Sequence, residues 1–158
     1  MSFGPNKSVA LCSLEACGEE DELLELLGAE RIANFLLENT AAMGASFSVG
    51  TQAVETILVT MQMTQAGGAV NQAGEWSVWI WLSDTAGGPV TATAPAGGTT
   101  ATVGTILQEH TADVSLDILT APTGQFILSI VEAGVDTWFL NVRMPSGEVF
   151  SSAPITFA

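Results

Sequence analysis

The stretch Trp76-Ser77-Val78-Trp79-Ile80-Trp81-Leu82-Ser83 decides the fold. A strand turns alternate side chains to opposite faces, which puts Val78, Ile80 and Leu82 on one face and Trp79 and Trp81 on the other. Both faces are apolar, so the segment needs a core on one side and a cover on the other, from its own chain or from a partner. Each tryptophan buries on the order of 200 Å², and at about 25 cal/mol per Å² that is up to about 5 kcal/mol per ring. Leaving both rings in water would forgo a quantity comparable to the stability of a whole domain.

Outward from this strand the pattern is β throughout. Upstream, Ile57, Val59, Met61 and Met63 alternate with Thr56, Leu58, Thr60 and Gln62, which predicts a strand over about 53–63. Downstream, Asp84 to Pro89 turns the chain. Residues 89–102, PVTATAPAGGTTAT, have the composition of a surface loop or a weak edge strand. Strand signals then return every 8–12 residues: over 102–109, at Val114, Leu116 and Ile118, at Phe126, Leu128 and Ile130, over 138–144, and over 148–157. Pro122-Thr123-Gly124, Glu132-Ala133-Gly134 and Pro145-Ser146-Gly147 supply the turns between them.

Eight or so strands without β-α-β alternation predict an all-β, immunoglobulin-like antiparallel β-sandwich over 46–158, with a jelly roll as the alternative. The Cys…Trp…Cys pattern of antibody domains is absent. The expected core holds Ile57, Val59, Val78, Ile80, Leu82, Leu116, Phe126, Leu128, Ile130, Trp138, Leu140 and Val142.

Residues 1–45 read as an N-terminal arm. Glu19, Glu20, Asp21 and Glu22 open a leucine-rich run, and acids suit a first helical turn, so a short helix is expected near 19–27. After Gly28, Ile32, Phe35 and Leu36 recur at helical spacing and predict a second helix near 29–39. Helices this short are marginal alone and must pack on something. They are expected to lie against the β-domain of their own chain or to reach a neighbouring subunit; in the second case the contacts with that subunit or the shell are Leu23, Leu27, Ile32, Phe35 and Leu36 in the arm, with Trp79 and Trp81 in the sandwich.

Composition narrows the function. The chain has 158 residues, enough for one domain and an appendage. Mean hydropathy is +0.41 and only 13% of residues are charged, yet no apolar run approaches the roughly 18 residues of a bilayer span. A soluble chain of this kind is expected to bury apolar surface between subunits, as a homo-oligomer. Seventeen acids face only Lys7, Arg31 and Arg143, a net charge of −14. Phosphate neutralisation needs many more cations, which argues against nucleic acid and anionic membranes as partners.

The inventory of reactive groups is thin. Cys12 and Cys17 lack Cys-x-x-Cys spacing, and with His110 the one histidine, no metal site or other cofactor is expected. A reduced, structural cysteine pair in a cytoplasmically folded chain is expected, with a local disulfide as the alternative if the segment between the two is looped, and no export signal is expected before Cys12. No nucleophile–base pair and no phosphate loop stands out, and Asp113 and Asp117 read as a wet strand face instead of a carboxylate pair. The chain is not expected to be an enzyme.

From about Ser46 onward the sequence resembles small immunoglobulin-like virion structural proteins of tailed bacteriophages. The likeness is carried by 56–62 (TILVTMQ), 79–84 (WIWLSD), 124–130 (GQFILSI), and the closing phrases Glu132-Ala133-Gly134, Thr137-Trp138-Phe139-Leu140, Pro145-Ser146-Gly147 and Ile155-Thr156-Phe157-Ala158. The resemblance implies a structural role without a reaction: a capsid decoration or cement protein, made in the host cytoplasm and located in the virion. It further implies a symmetric oligomer, a trimer, bound to the major capsid protein or another virion protein. The alternatives are a tail, neck or fibre component, or an adhesin module that binds a host through the loop at 85–100.

Overall fold

The computed structural model describes residues 43–66 and 68–158, together with Gly28. Both expected arm helices and the two cysteines therefore lie outside the described residues. Ten strands follow in order: β1 (Met43–Val49), β2 (Thr56–Gln65), β3 (Ser77–Ser83), β4 (Thr99–Val103), β5 (Thr105–Thr111), β6 (Ser115–Leu119), β7 (Gln125–Val131), β8 (Thr137–Arg143), β9 (Val149–Ser151) and β10 (Ile155–Thr156).

They form two antiparallel sheets. The first has the order β1-β2-β7-β4; the second has β10-β8-β3-β6-β5, with β9 also paired to β8. Alternation drives this arrangement, because each strand with one apolar stripe can bury it only against the stripe of another sheet. In β2, Ile57, Val59, Met61 and Met63 are all 2% exposed or less, while Leu58 between them is 45% exposed. In β3, Val78, Ile80 and Leu82 point into the same core, joined there by Leu116, Ile118, Phe126, Leu128, Ile130, Trp138, Leu140 and Val142. Every core residue expected from the alternation is buried. Met43, Val114, Met144, Ile155 and Phe157 extend the core beyond that expectation, and Phe157 meets Trp138 edge-on with centroids 6.0 Å apart.

Three local features differ from the sequence reading. The first strand begins at Met43, three residues inside the stretch assigned to the arm, and runs in register with β2 from Met43↔Gln65 to Val49↔Val59. Its small residues Gly44, Ala45, Ser46 and Ser48 carry little strand propensity of their own; pairing with β2 supplies it. Secondly, 102–109 is not one strand but the join of β4 and β5. Gly104, at φ +83°, turns the chain from the edge of one sheet to the edge of the other, and a Cβ there would lie 2.6 Å from the Leu119 carbonyl oxygen and from the Phe126 ring. Thirdly, the closing edge is interrupted: β9 and β10 both pair with β8, and Pro154 stands between them. Proline cannot donate to a ladder, so an edge with a break is where it fits.

At Pro122-Thr123-Gly124 the expected glycine conformation is observed, with Gly124 at φ +76° and its N–H donating to the Ala121 carbonyl at 2.8 Å. The backbone of Gln72 sits against it so closely that no side chain fits.

Candidate functional site: the outer face of the tryptophan sheet

On the face of β3 turned away from the core, Trp79 and Trp81 stack on one another with ring centroids 4.3 Å apart and planes 23° from parallel. Their environments differ. Trp81 is 5% exposed, whereas Trp79 is only partly buried.

The cover over Trp81 comes from its own chain. The turn after β3 folds back so that the Trp81 indole N–H donates to the Gly88 carbonyl at 2.8 Å. Asn141, directly across the ladder from Trp81 on β8, holds this turn down. Its Oδ1 accepts from the Gly87 N–H at 2.8 Å and from the Ser151 hydroxyl at 2.7 Å. Its Nδ2 donates to Ser83 Oγ at 2.6 Å, and Ser83 in turn donates to the Thr85 carbonyl. Asn141 and Ser83 are fully buried, so these bonds satisfy polar groups that would otherwise carry an unmet desolvation penalty. Thr91 closes the far side of the turn, donating to Asp84 Oδ1 at 2.7 Å.

The Trp79 ring is fixed by its indole N–H, which donates to Ser115 Oγ at 2.8 Å. In the ladder it stands between Asp117 of β6 and Arg143 of β8, so all three side chains leave the same face of the sheet. Asp117 is engaged by His110 Nε2 at 2.8 Å; their side chains are 37% and 45% exposed. Arg143, the one Lys or Arg from residue 43 onward, is exposed and forms no ion pair among the described residues. This part of the face is thus an indole platform bordered by one carboxylate and one guanidinium, backed by a second, buried indole.

Two further acids do structural work. Asp113, at φ +63° in the β5–β6 turn, accepts from the Thr99 N–H at 2.6 Å and joins that turn to β4. It shares no partner with Asp117. Glu132, 4% exposed, accepts from the N–H of Ala96 at 2.7 Å and from that of Gly134. The amides of Ala96, then Gly134 and Ala133, hold its carboxyl below the ordinary carboxylate range against the opposing pull of burial. No group of three His, Cys, Asp or Glu is placed to hold a metal ion among the described residues.

Of the contact residues expected from sequence, Trp79 and Trp81 lie together on this face; Leu23, Leu27, Ile32, Phe35 and Leu36 fall outside the described residues. Alternation alone does not single out Asn141, although an asparagine between Leu140 and Val142 in a strand of buried residues is a readable sign of a buried polar node. In the sequence Glu132 stands out only as the start of the turn Glu132-Ala133-Gly134. Its signal is a glycine two residues on, whose amide a carboxylate at a strand end can reach.

No family model matches this chain, and no curated protein matches it.

Proposed function

We propose that this chain is a non-enzymatic structural protein of a tailed-phage virion, most simply a capsid decoration protein that binds the outside of the head as a homo-oligomer. Its fold in this reading is immunoglobulin-like. The order β1-β2-β7-β4 against β10-β8-β3 parallels the ABED and GFC sheets of that architecture, and β6 and β5 extend the second sheet. The departure is β4, which crosses to the first sheet before β5 and β6 are made.

The observation that carries the functional reading is the partly exposed Trp79 stacked on the buried Trp81. A rigid aromatic on a flat sheet suits contact between surfaces, because the platform loses little conformational freedom on docking and aromatic anchors dominate interface energetics. Many copies on a lattice multiply modest contacts of this kind through effective concentration. Of the loop at 85–100, expected to reach a host in the adhesin alternative, Gly87 and Gly88 are engaged in covering Trp81.

The test is add-back to capsids stripped of this protein. Binding that raises the capsid melting temperature, and that weakens about 10-fold or more in Trp79→Ala, is the expected result. Absence of binding to heads, with the protein recovered in purified tails, would overturn the decoration assignment in favour of a tail or neck component.

A further inference from the structure

One row of side chains crosses the outer face of the second sheet. The ladder pairs Trp79 with Asp117 on one side and with Arg143 on the other, and it pairs Arg143 in turn with Val149 of β9. Residues directly opposite one another in a ladder leave the same face, with Cβ atoms about 4.5–5.5 Å apart. The row therefore reads Asp117, Trp79, Arg143, Val149. Both neighbours of Arg143 are apolar and reach solvent: Trp79 is partly exposed and Val149 is 39% exposed.

The two charges in the row are provided for unequally. Asp117 is engaged by His110 Nε2 at 2.8 Å. Arg143 is exposed and forms no ion pair among the described residues. Asp117 does not serve it, because its carboxylate is turned to His110 and two strand spacings, about 10 Å, with the Trp79 indole between, separate the two positions.

This inequality constrains whatever docks here. A surface that covers Trp79 and Val149 also covers the guanidinium between them, and a guanidinium taken from water without an acceptor would cancel much of what the apolar contacts return. A carboxylate meets the need best, since it matches the planar fork with two parallel bonds and offsets the charge. The charge of the whole chain points the same way. In a chain of net charge −14, Arg143 is the one Lys or Arg from residue 43 onward, so this row is where an approaching carboxylate meets attraction instead of repulsion.

We propose that the capsid surface which covers Trp79 presents an Asp or Glu carboxylate to Arg143. The inference rests on the reading of this face as the capsid contact, and it adds the chemistry of the partner.

The full chain, Arg143→Gln, Arg143→Lys and Trp79→Ala are bound to stripped heads at low and at moderate salt. Arg143→Gln is expected to bind about 30-fold or more weakly at low salt, and the gap from wild type should narrow as salt rises, because salt screens a charge pair. Arg143→Lys keeps the charge but not the fork and should fall between the two. A gap indifferent to salt would assign the acceptor to neutral groups such as carbonyls and overturn the carboxylate. Arg143→Gln binding like wild type while Trp79→Ala binds weakly would also overturn it, and would leave the capsid contact standing. If no form binds heads, the contact and the carboxylate fall together. Urea unfolding of the free protein locates the acceptor: Arg143→Gln should unfold at the wild-type midpoint, and a clearly lower midpoint would place the acceptor in this chain and overturn the proposal.

Discussion

Trp81 lies beneath Trp79 with their ring centroids 4.3 Å apart, and the turn that closes over Trp81 leaves Trp79 as the outer member of the pair. One indole is thus part of the fold, and the other is presented by it. That ordering separates stability from contact, and the two substitutions should behave differently.

Trp81→Ala removes a ring that is 5% exposed together with its bond to Gly88. The expected loss is about 3–5 kcal/mol, as for other buried aromatics. Trp79→Ala removes a partly exposed ring and one bond to Ser115, with an expected loss of about 1–2 kcal/mol. Urea unfolding followed by the remaining tryptophans measures both. Equal losses would mean that the two rings are equally integral to the core.

Asn141 gives a second test of the same cover. Asn141→Leu keeps the branched shape of the side chain but strips partners from the Gly87 N–H, Ser83 and Ser151. The expected cost is about 2–3 kcal/mol, with faster hydrogen exchange at the Gly87 amide as residues 84–91 loosen from the sheet. Unchanged protection at Gly87 would show that the turn is held by other contacts.

The sequence made the core legible because inward positions such as Ile57, Val59, Ile80 and Leu128 obey a period of two, and burial on one face enforces that period. The start of β1 is not legible in the sequence, for a physical reason. Met43-Gly44-Ala45-Ser46 has no strand propensity to detect, and its conformation depends on the register with β2, which lies in long-range pairing. The crossing at Gly104 is equally hidden, since Ala101-Thr102-Val103 before it and Thr105-Ile106-Leu107 after it read as one continuous strand, and only the sheet each half joins reveals the corner. On the candidate site, alternation placed Trp79 and Trp81 together, but whether the cover came from this chain or another depended on Asn141, 60 residues away from Trp81.

Glu132 predicts a pH dependence. Its folded-state carboxyl is held low by the amides of Ala96, Gly134 and Ala133, whereas in the unfolded chain it titrates near the ordinary value of about 4.3. A depressed folded pKa contributes stability that is present above the unfolded value and is lost as pH falls through the folded one. Glu132→Gln should therefore lower the melting temperature near neutrality, and the gap from wild type should shrink below about pH 4. Melting curves across pH 2–7 check this; a gap that is constant with pH would mean that the carboxylate charge contributes nothing beyond what an amide supplies.

The hairpin between β1 and β2 carries an unused reserve of stability. Ala53 and Thr56 exchange both backbone hydrogen bonds, at 2.8 and 3.0 Å, around the two central residues Val54 and Glu55. Val54 takes φ +61°, and at 91% exposure it packs on nothing that would compensate. A left-handed conformation costs an L-residue about 1–2 kcal/mol, more awkwardly so for a β-branched one, and with positive φ at the first central residue the turn suits glycine. Val54→Gly relieves that strain but adds about 0.5–1 kcal/mol of unfolded-chain entropy, so the net expectation is a gain of about 0.5–1 kcal/mol. Chemical denaturation of the two proteins measures it directly. A loss instead of a gain would show that the positive φ costs Val54 less than the chain entropy that glycine adds.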